Sequence, residues 1–136
     1  MANEDKVRHL EMIQGIVNRL STNSFLLKGW SVVSISALIA VAIDKGNYQF
    51  ALVALLPSLI LWGLDGYFLW HEWAFRQLYD AVRKLDGKKV DFSMDVSAVS
   101  LGWQGWIRKT FSKTLIIFHG AITGTIVVVV CLLKSF

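Results

Sequence analysis

The chain has little of what builds disulfide-stabilised, thiolate-metal or disordered proteins. Its 136 residues include one cysteine, Cys131, and one proline, Pro57. A single thiol excludes an intrachain disulfide and a thiolate metal cluster within one chain. One proline and ten glycines also exclude a collagen-like or proline-rich disordered chain. The cysteine count leaves the redox state of the compartment open.

Charge is also missing from one long stretch, Thr114 to Leu133, which contains no Asp, Glu, Lys or Arg. Twenty helical residues match a hydrocarbon core about 30 Å thick. Two earlier runs, about 25–43 and 48–70, have similar lengths and each carries one charged residue, Lys28 and Asp65. Mean hydropathy is +0.50. The sequence therefore predicts an all-α membrane protein with three transmembrane helices in a single membrane domain.

The first two dozen residues do not have the pattern of a signal peptide, because Glu4, Asp5 and Glu11 precede the first apolar run. Apolar residues recur at helical spacing and predict an amphipathic leader helix over 5–20. The Ser21 to Ser24 segment predicts a break after this helix, with Ser24 as N-cap of the first span.

Basic residues predict the orientation, because Lys and Arg near span ends are enriched on the cytoplasmic side. The leader to Lys28 holds four of them, the hairpin 44–47 holds one, and the segment 71–113 holds eight. We expect a cytoplasmic N-terminus, a cytoplasmic loop 71–113, and an outside hairpin and C-terminus at Phe136.

The second span contains Pro57, which predicts a kink or local opening, since proline has no backbone N–H and its ring clashes with the preceding turn. From Trp70 the pattern becomes amphipathic, which predicts that the helix continues into the cytoplasm until 86–89 ends it. A loop over 92–102 follows.

Aromatic and basic residues then interleave before the third span. Trp103 and Trp106 beside Arg108 and Lys109 are typical of interfacial anchors, with rings at headgroup depth and cations facing anionic lipid. The same cations could contact nucleic acid. The adjacent tryptophans favour the lipid bilayer as partner and disfavour nucleic acid.

Three ionisable residues share one predicted depth near the cytoplasmic face: Lys28, Asp65 and His119. A carboxylate in hydrocarbon is costly, so we expect Asp65 to face the bundle interior and to pair with Lys28 or His119. This cluster either lines a pore or proton path or is a structural ion pair between helices. In a third interpretation, Asp65 lies close enough to the membrane interface to be hydrated.

Gly120 and Gly124 form a GxxxG motif within the third span. Small residues let helix backbones approach closely in lipid, where no hydrophobic effect drives helices together. This face therefore packs either against another subunit or against the first span, where Ser36 and Ala40 offer a matching small surface.

Signals for chemistry are weak elsewhere. His71 and Glu72 are adjacent, which is not the i, i+4 spacing that directs two ligands at one metal ion. His9 near Glu11 is weaker still. We therefore expect no cofactor, no metal site and no enzymatic activity.

Two segments, HLEMIQGIVNRLSTNSFLLKGW before and in the first span and WGLDGYFLWHEWAFRQLYDAVRKLDG at the end of the second, give the chain a family likeness. The chain resembles a group of small, uncharacterised bacterial inner-membrane proteins. That resemblance implies a bacterial plasma-membrane location and a gene that lies near defence-type genes. It assigns no catalytic residues to this sequence.

Two functional hypotheses follow. The first is a homo-oligomeric membrane effector or pore-type subunit that alters bilayer permeability. The resemblance implies that such an effector would act in phage defence. The second is a non-enzymatic membrane anchor or accessory subunit that docks a soluble protein through its cytoplasmic helices. Three short spans bury few helix faces, so a homo-oligomer is expected in either case.

Overall fold

The computed structural model describes residues 1–135, which contain helices and connecting loops and no strand. Phe136, whose side of the membrane the sequence analysis predicts, lies outside the described residues. Five α-helices and one 3₁₀ turn follow each other along the chain. They are α1 (Ala2–Lys45), α2 (Tyr48–Val53), α3 (Leu55–Lys84), the 3₁₀ turn Gly87–Lys89, α4 (Gly102–Thr110) and α5 (Lys113–Ser135).

Three helical stretches are long and apolar enough to cross a membrane: α1, the α2–α3 pair, and α5. The α1 helix has 44 residues, so it is about 66 Å long and about twice as long as a hydrocarbon core is thick. Its charged N-terminal half therefore extends beyond the length that a hydrocarbon core could cover. We call the end of the bundle that carries residues 2–23 and 71–113 the basic end.

The predicted break at Ser21 to Ser24 is wrong, because α1 runs through it without interruption. The hydroxyl groups that were expected to compete for the backbone are used differently. Thr22 Oγ1 donates to the carbonyl of Asn18 within the helix, and Ser24 Oγ donates to Asp65 on α3. Ser24 is thus a contact between helices and not an N-cap.

The leader half of α1 packs along the last four turns of α3, and together they form a two-helix extension that we call the stalk (residues 2–20 and 70–84). Ile13, Val17 and Val82 are buried at its centre. This packing accounts for the amphipathic patterns of both segments. It also confirms that the second span continues as helix past Trp70 and ends just before residue 86.

At the opposite end, a tight turn reverses the chain. Gly46 has φ +57°, a left-handed conformation that glycine adopts without steric cost and that ends α1. The expected disturbance at Pro57 is confirmed, since α2 ends at Val53 and α3 begins at Leu55. Pro57 has no N–H to donate to the carbonyl of Val53, so the helical ladder is interrupted there. Spans one and two are antiparallel neighbours.

The core in the half of the bundle away from the basic end joins all three predicted spans. Ile35 of α1, Ala54 before α3 and Ile126 of α5 are buried together, and larger aliphatic side chains surround them. We call these three residues the apolar plug. They lie on the side of the bundle away from the basic end.

The α4 helix lies against α3 near the basic end. Two glycines permit this contact: a Cβ on Gly66 would lie 2.7 Å from Thr110 Cα, and one on Gly105 would lie 2.6 Å from Trp70 Nε1. Real Cβ atoms do not approach other atoms so closely. The α3–α4 contact therefore depends on glycine at both positions.

Candidate functional site: a buried polar cluster between three spans

Asp65 is the centre of the site, and its side chain is fully buried. Its Oδ1 accepts a hydrogen bond from Ser24 Oγ at 2.5 Å. Its Oδ2 lies 2.6 Å from Lys28 Nζ and 2.9 Å from His119 Nε2. Lys28, Asp65 and His119, which the sequence predicts at one depth, are thus in contact. Together with Ser24 they form what we call the polar cluster.

Helix geometry explains why α1 contributes two members. Ser24 and Lys28 are four residues apart, so both side chains lie on the face that meets α3. Lys28 Nζ donates to Ser24 Oγ at 2.8 Å, and Ser24 Oγ in turn donates to Asp65 Oδ1. The Lys28 side chain remains 22% exposed, which makes it the most accessible member of the cluster.

His119 on α5 completes the cluster and is fully buried. The imidazole stacks on the indole of Trp62, with ring centroids 5.8 Å apart and planes at 10°. Since an ionised carboxylate accepts hydrogen bonds and donates none, the bond to Asp65 places a proton on His119 Nε2. Nδ1 has no hydrogen-bond partner among the described residues.

The charges within the polar cluster compensate each other. A carboxylate with one ammonium is neutral overall, and both oxygens of Asp65 accept hydrogen bonds, so a buried ion here is paired and satisfied. Because its partners come from α1 and α5, Asp65 connects all three spans. The arrangement can hold the three helices in register.

A second layer of buried hydroxyl groups lies deeper in the bundle. Ser58 Oγ and Thr123 Oγ1 are 3.2 Å apart across α3 and α5, and Ser31 Oγ donates to the carbonyl of Leu27. Ser58 is seven residues from Asp65, which places it about 10 Å further along α3. Beyond this layer the apolar plug closes the interior. Among the described residues, the polar groups of the interior therefore give way to apolar side chains at the plug.

The two glycines of the GxxxG motif do not pack against another helix among the described residues. A Cβ on Gly120 or Gly124 would meet no atom within 4 Å outside its own helix backbone. The seam between α5 and α1 is instead lined by Ile122 and Thr125 facing Ile35 and Ser36. Of the two readings of this motif, packing against the first span is not observed in the chain.

The interfacial anchors lie on α4 and differ in exposure. Trp103 is largely exposed, whereas Trp106 is partly covered and donates from Nε1 to the carbonyl of Gly63 at 2.9 Å. Lys109 Nζ lies 4.8 Å from the ring centroid of Trp73. Arg108 and Lys109 line one small cavity with Trp73.

The weaker candidates are not brought together. His71 Nδ1 contacts the carbonyl of Tyr67, and Glu72 pairs with Arg76 at 2.8 Å. His9 is buried in the stalk, where Nε2 meets the carbonyl of Ser93 at 3.0 Å. Within residues 1–135 no group of three or more His, Cys, Asp or Glu side chains is placed to hold a metal ion.

Sequence reasoning missed two residues of the site. Ser24 was assigned to a helix cap, although its i, i+4 spacing to Lys28 places it on the same face. Trp62 was not considered, although it is three residues before Asp65 and thus on the same side of α3. Helical spacing from the charged residues would have found both.

Compared with family models, curated proteins and solved structures, the chain gives no match. The resemblance to small bacterial inner-membrane proteins therefore stays a prediction from the sequence.

Proposed function

We propose that the protein is a homo-oligomeric membrane effector of the pore type, which alters bilayer permeability when it assembles. The observation that carries this proposal is the outward-facing GxxxG surface of α5. Gly120 and Gly124 form a groove on a helix long and apolar enough to span a membrane, and no other described residue fills this groove. Such surfaces associate with a second helix in lipid. The phage-defence setting rests on the resemblance alone.

The interior of one protomer is a poor route for ions. Asp65 accepts hydrogen bonds at both oxygens from its own chain, and the apolar plug follows the hydroxyl layer. We therefore place the permeation path between protomers and assign the polar cluster to holding each protomer in its shape.

The oligomer is tested by adding bulk to the groove. We expect the double variant Gly120→Ile, Gly124→Ile to weaken self-association roughly tenfold or more, the effect of losing about 1.4 kcal/mol of helix packing. Gly29→Ile is the matched control, because Gly29 also has open space around it but lies on α1. Size analysis after gentle extraction measures the effect.

Function is read from the same variants in vesicles that contain a trapped dye. We expect wild-type protein and Gly29→Ile to release the dye and the double glycine variant to release much less. Intact oligomers that release no dye would instead favour the second candidate, an accessory subunit. The observation that favours that candidate is the stalk, whose two helices have a hydrophobic core of their own beyond the spans.

The orientation has its own test. We propose that the basic end is cytoplasmic, because that end carries eleven of the fourteen Lys and Arg residues. A reporter that is active only outside the cytoplasm should therefore be active when fused after residue 136. Activity of a cytoplasm-only reporter at that position would mean an inverted chain or a third helix that does not cross.

A further inference from the structure

Helix α4 and its connection to α5 are bound to α3 by hydrogen bonds. We call this segment, residues 102–113, the elbow. Trp106 Nε1 donates to the carbonyl of Gly63, and Trp62 Nε1 donates to the carbonyl of Thr110 at 2.8 Å. Trp70 Nε1 donates to the carbonyl of Ser100 just before the elbow. The side chains of the elbow are therefore presented from a fixed backbone.

Three cations of the elbow have no acidic partner. Asp95 is the last acidic residue of the sequence, so nothing after it can neutralise Arg108, Lys109 or Lys113 locally. Among the described residues no carboxylate lies within 4.0 Å of any of the three. Glu72, which is on the neighbouring stretch of α3, is engaged by Arg76. The elbow thus carries uncompensated positive charge.

Two of these cations converge on a small cavity. It has a volume of about 120 Å³ and is lined by Arg108 and Lys109 with Trp73, Leu101 and Gly105. Burial, and then the nearby charge of Arg108, lower the pKa of Lys109 below its usual value. An anion between the two cations would relieve this repulsion.

A second cavity lies between α3 and the elbow. It has a volume of about 310 Å³ and is lined mainly by apolar side chains, among them Leu59, Trp62, Trp106, Ile107 and Phe111. The indole N–H groups of both tryptophans are bonded to backbone carbonyls. The cavity therefore offers a nonpolar surface with no free donor from these rings, which suits a hydrocarbon chain.

We propose that the elbow binds an anionic phospholipid, with the phosphate between Arg108 and Lys109 and one acyl chain in the apolar cavity. Charge complementarity selects the headgroup, and the nonpolar cavity selects a ligand that has a chain. A lipid of this kind is available wherever α4 lies at a membrane surface, and such lipids attract basic segments. The inference needs the membrane location and does not depend on the pore proposal.

The lipid also has an indirect contact with the polar cluster. Trp62 forms part of the cavity wall, and its ring stacks on His119. A bound chain would hold this indole in place. Lipid binding is therefore expected to raise the melting temperature of the protein, which gives a readout that needs no functional assay.

The test uses the full chain in a mild detergent, titrated with phosphatidylglycerol or with phosphatidylcholine of the same chain length. Native mass spectrometry counts bound lipid, and tryptophan fluorescence follows thermal unfolding. We expect wild type to prefer phosphatidylglycerol. Arg108→Gln with Lys109→Gln should lower that affinity about thirtyfold, because each basic residue contributes about fivefold to binding at an anionic lipid surface. The affinity for phosphatidylcholine, whose phosphate is balanced by its own quaternary ammonium, should fall much less. If the double variant unfolds, the single variant Arg108→Gln, which changes an exposed side chain, is used for the affinity measurement instead.

Two further variants separate the alternatives. Lys88→Gln with Lys89→Gln removes the same charge from the same loop but lies outside the elbow, so it should change the affinity little. Gly63→Leu extends a side chain into the apolar cavity and should lower the affinities for both lipids equally. The proposal is overturned if the Lys88 and Lys89 variant loses as much affinity as the elbow variant, or if Gly63→Leu changes nothing. It is also overturned if glycerol phosphate, which has no chain, stabilises the protein as much as phosphatidylglycerol does.

Discussion

Replacing Asp65 with asparagine is expected to destabilise the folded protein by about 3 to 5 kcal/mol, the usual cost of leaving one member of a buried ion pair without its partner. The amide keeps the size of the side chain but removes the negative charge. In the wild-type protein Lys28 Nζ lies 2.6 Å from Asp65 Oδ2. In the variant this ammonium would face a neutral amide instead of a carboxylate. Thermal unfolding in detergent, followed by tryptophan fluorescence, measures this loss.

A second substitution shows whether the loss arises in the polar cluster. Lys28→Gln added to Asp65→Asn should restore part of the stability, because it removes the unpaired charge. Asp80→Asn is the matched control. Asp80 pairs with Arg83 at the surface of the stalk, where an exposed pair contributes about 1 kcal/mol or less. If Asp65→Asn lowered the stability as little as Asp80→Asn does, this result would contradict a structural role for Asp65.

The same variant distinguishes the structural role from a permeation role. If Asp65 lined a conducting path, Asp65→Asn would keep its stability and its oligomeric state while dye release or conductance changed. An Asp65→Asn protein that is stable, assembled and unaltered in permeability would eliminate both roles. We expect neither result, since Ser24, Lys28 and His119 of the same chain already contact both oxygens of Asp65.

The second large effect is expected at Gly66, where alanine should destabilise the protein by about 1 to 3 kcal/mol through overpacking. The added Cβ would lie 2.7 Å from Thr110 Cα, and a backbone atom cannot move aside as a flexible side chain can. We expect α4 to separate from α3. Protease cleavage between residues 86 and 101 should then become faster, and the melting temperature should fall.

Gly63 provides the control for this prediction, because it lies one turn away on the same helix. A Cβ on Gly63 would be 3.8 Å from the Trp106 ring, which is an ordinary contact. Gly63→Ala should therefore be neutral or should stabilise the helix by up to about 1 kcal/mol. Equal losses for the two alanine variants would mean that glycine flexibility, and not the close approach of α4, matters at both sites.

Local sequence patterns determined the helical architecture. The uncharged run 114–133, the turn at Gly46 and the proline at 57 indicate spans and their ends, because length, hydropathy and backbone chemistry act within one segment. The depth argument for Lys28, Asp65 and His119 also came from the sequence. It worked because residue counts along straight helices convert directly to depth.

Tertiary structure decided what the side chains at those positions contact. The sequence placed a break at Ser21 to Ser24, but α1 continues there because α3 supplies both an apolar surface for the leader and a carboxylate for the Ser24 hydroxyl. Whether Gly120 and Gly124 meet the first span depends on the rotation of α5 about its axis. That rotation is set by the contacts of His119, Thr123 and Ile126 with other helices, which no pattern within a single segment can specify.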